Sequence, residues 1–281
     1  MAIVSPAFVT QFDVMVKQDF QGLQSLAGVC RERMDIEGST HKFPKLAKGA
    51  ATPRVPQTDV TPINAAYSQV SLTLEDWNAA EYSDIFNQQK VNFDDVKELS
   101  QVIGNAIGRR IDQMKIDALD AASSSLTVAK TVVTSGSAAA SNLNVGKIIE
   151  AARLLDAKNV AAEDRVFIAH ANSKAGLLGD ERAVSADYQS ARALATGAID
   201  SFMGFKFIFL GDRDEGGLTL STNDRQCFAF HKSALGYAQG LLKTEINYVP
   251  EKTSFLVNSC LAANSVAIDA EGIVEITCDE S

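Results

Sequence analysis

Three histidines, four cysteines and one closely spaced pair of aspartates are the residues whose types could do chemistry in this sequence. A nucleophile needs a base within hydrogen-bond reach, and Ser173 near His170 in IAHANS is too generic a spacing to define one. His170 and His231 end apolar, strand-like stretches, where a histidine is structural, and His41 sits in a proline-rich segment. In GDRDEGG, Asp212 and Asp214 stand two apart, as in a calcium loop. The next ligand position is Gly216, however, and Asn223 stands where a bidentate Glu is required, so the reading is an acidic surface turn. Cys30, Cys227, Cys260 and Cys278 form no CxxC pair, which argues against a zinc ribbon or redox motif and for free thiols. There is no G-x-S-x-G elbow, P-loop or H-E-x-x-H. The expectation is a chain with no cofactor, no metal and no enzymatic site.

The remaining chemistry is electrostatic. The chain carries 26 basic and 35 acidic residues, a net charge of -9, which opposes binding nucleic acid by counterion release. From Gly38 to Thr58 there are four bases, Lys42, Lys45, Lys48 and Arg54, and no acid. From Glu75 to Glu98 the acids Glu75, Asp76, Glu81, Asp84, Asp94, Asp95 and Glu98 face only Lys90 and Lys97. Opposite patches on one chain let copies dock patch to patch; the alternative is two unrelated solvated faces.

The elements that carry these charges follow from periodicity. With 281 residues, 46% hydrophobic, the chain can bury a core as one large domain or two ordinary ones. No apolar run is long enough to span a bilayer, and MAIVSPAFVTQFDVMVKQDF does not read as a secretory leader. Phe8 to Leu26 has the apolar spacing of an amphipathic helix. Val29 to Glu37 alternates as a strand, as does SQVSLTLEDW, predicting a long hairpin. Between them His41–Pro62 holds four of the six prolines and reads as an irregular tip with nothing of its own to pack on. A long helix is predicted from Phe93 to about Ala122, capped by Asn92, with Val96, Leu99, Ile103, Ile107, Ile111 and Met114 as its stripe and Arg109, Arg110, Asp112 and Lys115 largely off it. Further on come a strand within SSSLTVAKTVV, a helix opened by Asn144, a buried strand DRVFIAHA, a short helix NSKAGLLGD, a strand GFKFIFLGD, a strand-to-helix segment QCFAFHKSALGYAQG, and a β tail. Mixed strands and helices without a βαβ repeat make the class α+β.

In this order the sequence resembles the major capsid protein of tailed bacteriophages, the Hong Kong phage-type fold that encapsulins also use. The resemblance covers essentially the whole chain. It lies in CRERMDIEG, in LEDWNAAEYSDIF feeding NFDDVKELSQVIGNAIGRRIDQMKIDALDAA, and in DRVFIAHANSKAGLL, AIDSFMGFKFIF and INYVPEKTSFLVNSCLAANSVAIDAEGIVEI.

The resemblance implies an N-arm at 1–28, an extended loop (E-loop) at 29–75 lying over a neighbouring subunit, and a peripheral domain at 76–134 with the long helix as its spine. An axial domain at 135–240 and return strands of the peripheral domain at 241–281 complete it. It implies self-assembly through hexamers and pentamers into an icosahedral shell that encloses double-stranded DNA without sequence-specific contact, built in the host cytoplasm. No scaffolding-like segment precedes the N-arm here, so a separate scaffolding protein is expected, with a portal and decoration proteins as further partners and no membrane. Lys42, Lys45, Lys48 and Arg54 are the expected intersubunit contacts, and Glu75, Asp76, Glu81 and Asp84 the acidic surface that receives them. No acceptor or catalyst for a lysine cross-link can be matched, so none is expected. Shells of this kind change shape on maturation, and Gly104 and Gly108, four apart in the spine helix, are read either as a hinge or as a close-packing face. An encapsulin-like compartment shell and, more distantly, a soluble enzyme are the alternatives.

Overall fold

The computed structural model describes residues 21–60, 62–90, 94–122, 126–134, 136, 138–179 and 201–280. The expected helix at Phe8–Leu26 falls mainly outside them, as do Asn92, Phe93 and residues 180–200.

Two sheets and one long helix share a core. The first sheet has the order β1-β11-β12-β4, made of β1 (Arg31–Arg33), β4 (Glu75–Asp84), β11 (Leu235–Val249) and β12 (Ser254–Ala267). The second has seven strands: β5 (Thr127–Val128), β13 (Ile273–Asp279), β10 (Asp224–His231), β6 (Arg165–His170), β8 (Phe205–Leu210) and β7 (Ser201–Phe202) in that order, with β9 (Leu220–Ser221) paired to β10. Helix α2 (Asp95–Ala122) packs across β12 and β4. One hydrophobic cluster runs through Ile107, Ile111 and Leu119 of α2, Leu261 and Ala263 of β12, and Phe167, Phe228 and Ile276 of the second sheet. The strand Arg165–His170 is buried at every position, as its unbroken apolar run predicts for a strand covered on both faces. Helix α3 (Val145–Ala157) is capped by Asn144, whose side chain accepts from Lys147 N, and α4 (Ala171–Leu178) follows β6.

Several sequence expectations change here. The outgoing hairpin strand is not Val29–Glu37 but β2 (Thr40–Leu46), which pairs antiparallel with β3 (Tyr67–Thr73). Left-handed backbone at Asp35 (φ 56) and Gly38 (φ 99) breaks any strand through that stretch. Arg31–Arg33 pairs instead, in parallel, with Gly236–Ala238. Pro44 lies within β2, which a two-stranded ribbon tolerates because a missing N–H on an edge strand can face solvent. The segment ALGYAQG continues as strand β11, not helix, after a single 3-10 turn at Lys232–Ala234. The last strand, Ile273–Asp279, pairs with Asp224–Phe230 in the seven-stranded sheet, so the boundary at 241 does not follow the sheets.

Helix α2 is about 42 Å long at 1.5 Å per residue. Asp94 caps it, accepting from Lys97 N at 3.3 Å, and Asp95 and Glu98 favour its positive end. Asp112 and Lys115, off the apolar stripe, are nevertheless buried. The chain segment before β1 lies over them as a strap. Asp112 accepts from Ser25 N (2.8 Å) and Leu26 N (3.1 Å), and the Lys115 ammonium donates to Leu26 O (2.7 Å) and Glu32 (3.0 Å). These charges satisfy backbone groups that no strand or helix partner reaches.

Candidate assembly interface

The hairpin has a buried root and an exposed tip. At the root, the Phe43 side chain is fully buried in a small cluster with Leu72, Ala238 and Ile268. The space is made by Gly236, where an added Cβ would stand 2.9 Å from the Phe43 ring. The arm therefore does have a core partner in its own chain at this point, contrary to expectation. Ala47 N closes the hairpin on Ala66 O, and none of the described residues between them lies in a strand. Leu46, Val55, Val60, Ile63 and Tyr67 are exposed there, Val60 at 92% and Tyr67 at 85%. Large apolar side chains gathered on one protruding segment mark an interaction surface.

The four basic residues divide. Lys45 pairs with Asp269 (3.0 Å) and Lys48 with Glu271 (2.9 Å), both on the turn between β12 and β13 of the same chain. Lys158 also reaches Glu271 (3.4 Å). The Lys48 and Lys158 ammonium groups hold the Glu271 carboxyl below its ordinary value, and Glu271 raises that of Lys48. Two of the expected intersubunit lysines are thus occupied within the chain by acids that charge patterning did not single out. Those acids lie more than 200 residues away in sequence, and only the chain's return path brings them close. Lys42 and Arg54 have no ion-pair partner among the described residues.

The expected acidic surface is one strand. Glu75, Asp76, Glu81 and Asp84 all lie on β4, the outer strand of the four-stranded sheet. Asp84 caps the short helix α1 (Ile85–Gln88) through Phe86 N, and Glu75 accepts from Asn264. No base lies on that strand.

The two glycines also divide. A Cβ on Gly104 would meet nothing within 4 Å, whereas one on Gly108 would stand 3.1 Å from Gln24 Cβ of the strap. Close packing accounts for Gly108 and not for Gly104.

The residues weighed for catalysis settle into structural contacts. His170 Nδ1 accepts from Asn172 N and caps α4, and Ser173 Oγ lies against Cys227 Sγ at 3.7 Å. His170 Nε2 comes within 3.1 Å of Asp212 without hydrogen-bond geometry, so the two share only a charge contact, present when the imidazole is protonated. Asp212 and Glu280 also pair with Arg225. Among the described residues no cluster of metal-ligating side chains forms, and no helix is long and apolar enough to cross a membrane.

Comparison with known proteins places this architecture. The sequence model of a family described as phage capsid protein matches residues 4–280. No curated protein matches. Among solved structures, the capsid of the cyanophage P-SCSP1u superposes with a TM-score of 0.77 at 15% identity, over 98% of this chain and 94% of that one. The head structure of the Helicobacter pylori bacteriophage KHP40 gives 0.75 at 11% identity, over 99% and 98%. Mycobacterium phage Che8 gives 0.70 at 16%, over 97% of each chain. At such identities the likeness is one of fold.

Proposed function

The chain belongs to the phage capsid protein family, as a major capsid protein of the head shell, and from that premise we propose how its surfaces divide the work of assembly. The tip of the hairpin, residues 47–66, lies over a neighbouring copy and buries there the apolar side chains it exposes here. Lys42 and Arg54, which have no ion-pair partner among the described residues, reach the acidic strand β4 of that neighbour. Lys45 and Lys48 brace the root of the arm against its own body. The observation that carries this reading is the contrast within one hairpin, with Phe43 fully buried and Val60 and Tyr67 almost fully exposed.

The remaining assignments follow from the family and the sequence. Subunits group as hexamers and pentamers, assemble in the host cytoplasm with a separate scaffolding protein and a portal, accept decoration proteins, and enclose double-stranded DNA. Their acidic balance keeps that DNA from adhering. The spine is α2, the axial domain is built on the seven-stranded sheet, and the subunit performs no catalysis. Gly104 lets α2 bend in the immature shell.

Replacing residues 49–65 by a short glycine-containing turn, with Lys48 kept, tests the central assignment. Circular dichroism of the subunit should stay near normal, because the tip adds nothing to the core, while shells seen by electron microscopy disappear. Normal shells from this variant would refute the proposal.

A further inference from the structure

On the side of the four-stranded sheet away from β4, the short outer strand β1 pairs only with Gly236, Tyr237 and Ala238 of β11, and Ile36 N donates to Gln239 O just beyond. From Leu241 to Tyr248 every residue is exposed, although β12 pairs with each of them on the inner side. The outer edge of this stretch has no strand partner among the described residues. Native sheets protect such edges with prolines, bulges or inward-pointing charges. This one has no proline, and its bulge lies upstream, at Gln239/Leu241.

Side-chain rows alternate along the strand. Leu242, Thr244 and Ile246 lie opposite Leu261, Ser259 and Val257, whose side chains are buried, so they share that inward face. Yet Leu242 and Ile246 are half exposed, at 52% and 51%, leaving an apolar row that stops at solvent. Lys243 and Glu245 occupy the other face and form an ion pair within the strand.

The stretch Leu242-Lys243-Thr244-Glu245-Ile246 is chemically self-complementary when reversed. In an antiparallel pair centred on Thr244, Lys243 stands opposite Glu245 of the second copy and Leu242 opposite Ile246, each twice. Centring the pair on Lys243 would set lysine against lysine, and centring it on Glu245 would set glutamate against glutamate. A slip of one residue would turn the apolar rows to opposite faces. The other outer strand, β4, cannot pair with itself this way, because its charges are Glu75, Asp76, Glu81 and Asp84 alone.

We infer that the free edge of β11 is a two-fold contact between copies of this chain, an antiparallel pairing centred on Thr244 that joins two four-stranded sheets into one. It rests on the shell reading, which supplies the second copy.

Thr244→Cys in a Cys260→Ser background tests the register. A residue on the two-fold stands opposite itself, with Cα atoms about 4.5–5.5 Å apart across an antiparallel pair, within the range a disulfide spans. Mild oxidation of assembled shells should therefore give a dimer band on non-reducing denaturing gels. Asn247→Cys, whose opposite residue is Leu241, should give none. Lys243→Glu should cut shell yield at least tenfold, and Lys243→Glu combined with Glu245→Lys should restore it. Shells that form from the Thr244→Cys chain but stay uncross-linked, or a charge swap that fails to rescue normally folded subunits, would overturn the contact and leave the shell reading standing. A wild-type chain that makes no shells would overturn both.

Discussion

Glycine at positions 104 and 108 gives two substitutions of the same chemistry with different expected outcomes. Each lies inside a 28-residue helix, where Gly→Ala removes backbone freedom from the unfolded chain and is worth about 0.8–1.0 kcal/mol. At Gly104 the added methyl meets nothing within 4 Å, so the whole gain should appear. At Gly108 the methyl would stand 3.1 Å from Gln24 Cβ and 3.6 Å from Gln24 N. Relief requires the strap to shift, but Asp112 and Lys115 anchor it through Ser25 N, Leu26 N and Leu26 O. Overpacking costs about 1–3 kcal/mol where the surroundings are fixed. The net for Gly108→Ala is therefore zero to about 2 kcal/mol destabilising. Urea unfolding of the unassembled subunit, followed by circular dichroism at 222 nm, separates the two. With a slope of about 2–3 kcal/mol/M, Gly104→Ala should raise the midpoint by about 0.3–0.5 M. Equal gains at both positions would show that the strap does not pack on Gly108. In the shell, Gly104→Ala should shift particles toward the expanded form if α2 bends there. Unchanged expansion in a stabilised subunit would refute the bend.

Phe43→Ala should cost about 3 kcal/mol by emptying the root cluster and should speed proteolysis in the arm; unchanged cleavage would mean that the hairpin is held by its backbone alone. Glu32 lies near the buried Lys115 ammonium; burial raises its carboxyl, but the Lys115 bond and charge and the Gly28 N–H outweigh this and hold it below its ordinary value. A depressed carboxyl stabilises the fold above its unfolded value and loses that contribution as pH falls through the folded one, so Glu32→Gln should cost on the order of 1–2 kcal/mol at pH 7 and progressively less in acid, as urea midpoints across pH would register. Glu271→Gln weakens the contacts of Lys48 and Lys158 with the turn, and hydrogen exchange around Leu46 should quicken; identical exchange would assign these exposed pairs to solvent.

Strong local signals were legible without the fold. The stripe of α2, the Asn144 cap, the apolar run of β6 and the β tail each follow from spacing that one element alone satisfies. The hairpin was visible as two alternating stretches, but its outgoing strand was misplaced, because Asp35 and Gly38 take positive φ while Pro44 is accommodated on an edge. The burial of Asp112 and Lys115 was also hidden. Helical periodicity assigned them away from the apolar stripe, and the strap that covers them comes from more than 80 positions earlier in the chain and binds them through charge-to-backbone bonds.

The sequence by itself determined the fold class, the existence of a basic arm and an acidic stretch, and the lack of any recognised catalytic motif, because composition, periodicity and spacing are local properties. Only the tertiary structure decided which charges are already occupied and which edges are free. Lys48 meets Glu271 across 223 positions, and beyond Gln239 no strand among the described residues pairs with the outer edge of β11. Both depend on where the chain returns in space, and no window of neighbouring residues encodes that return.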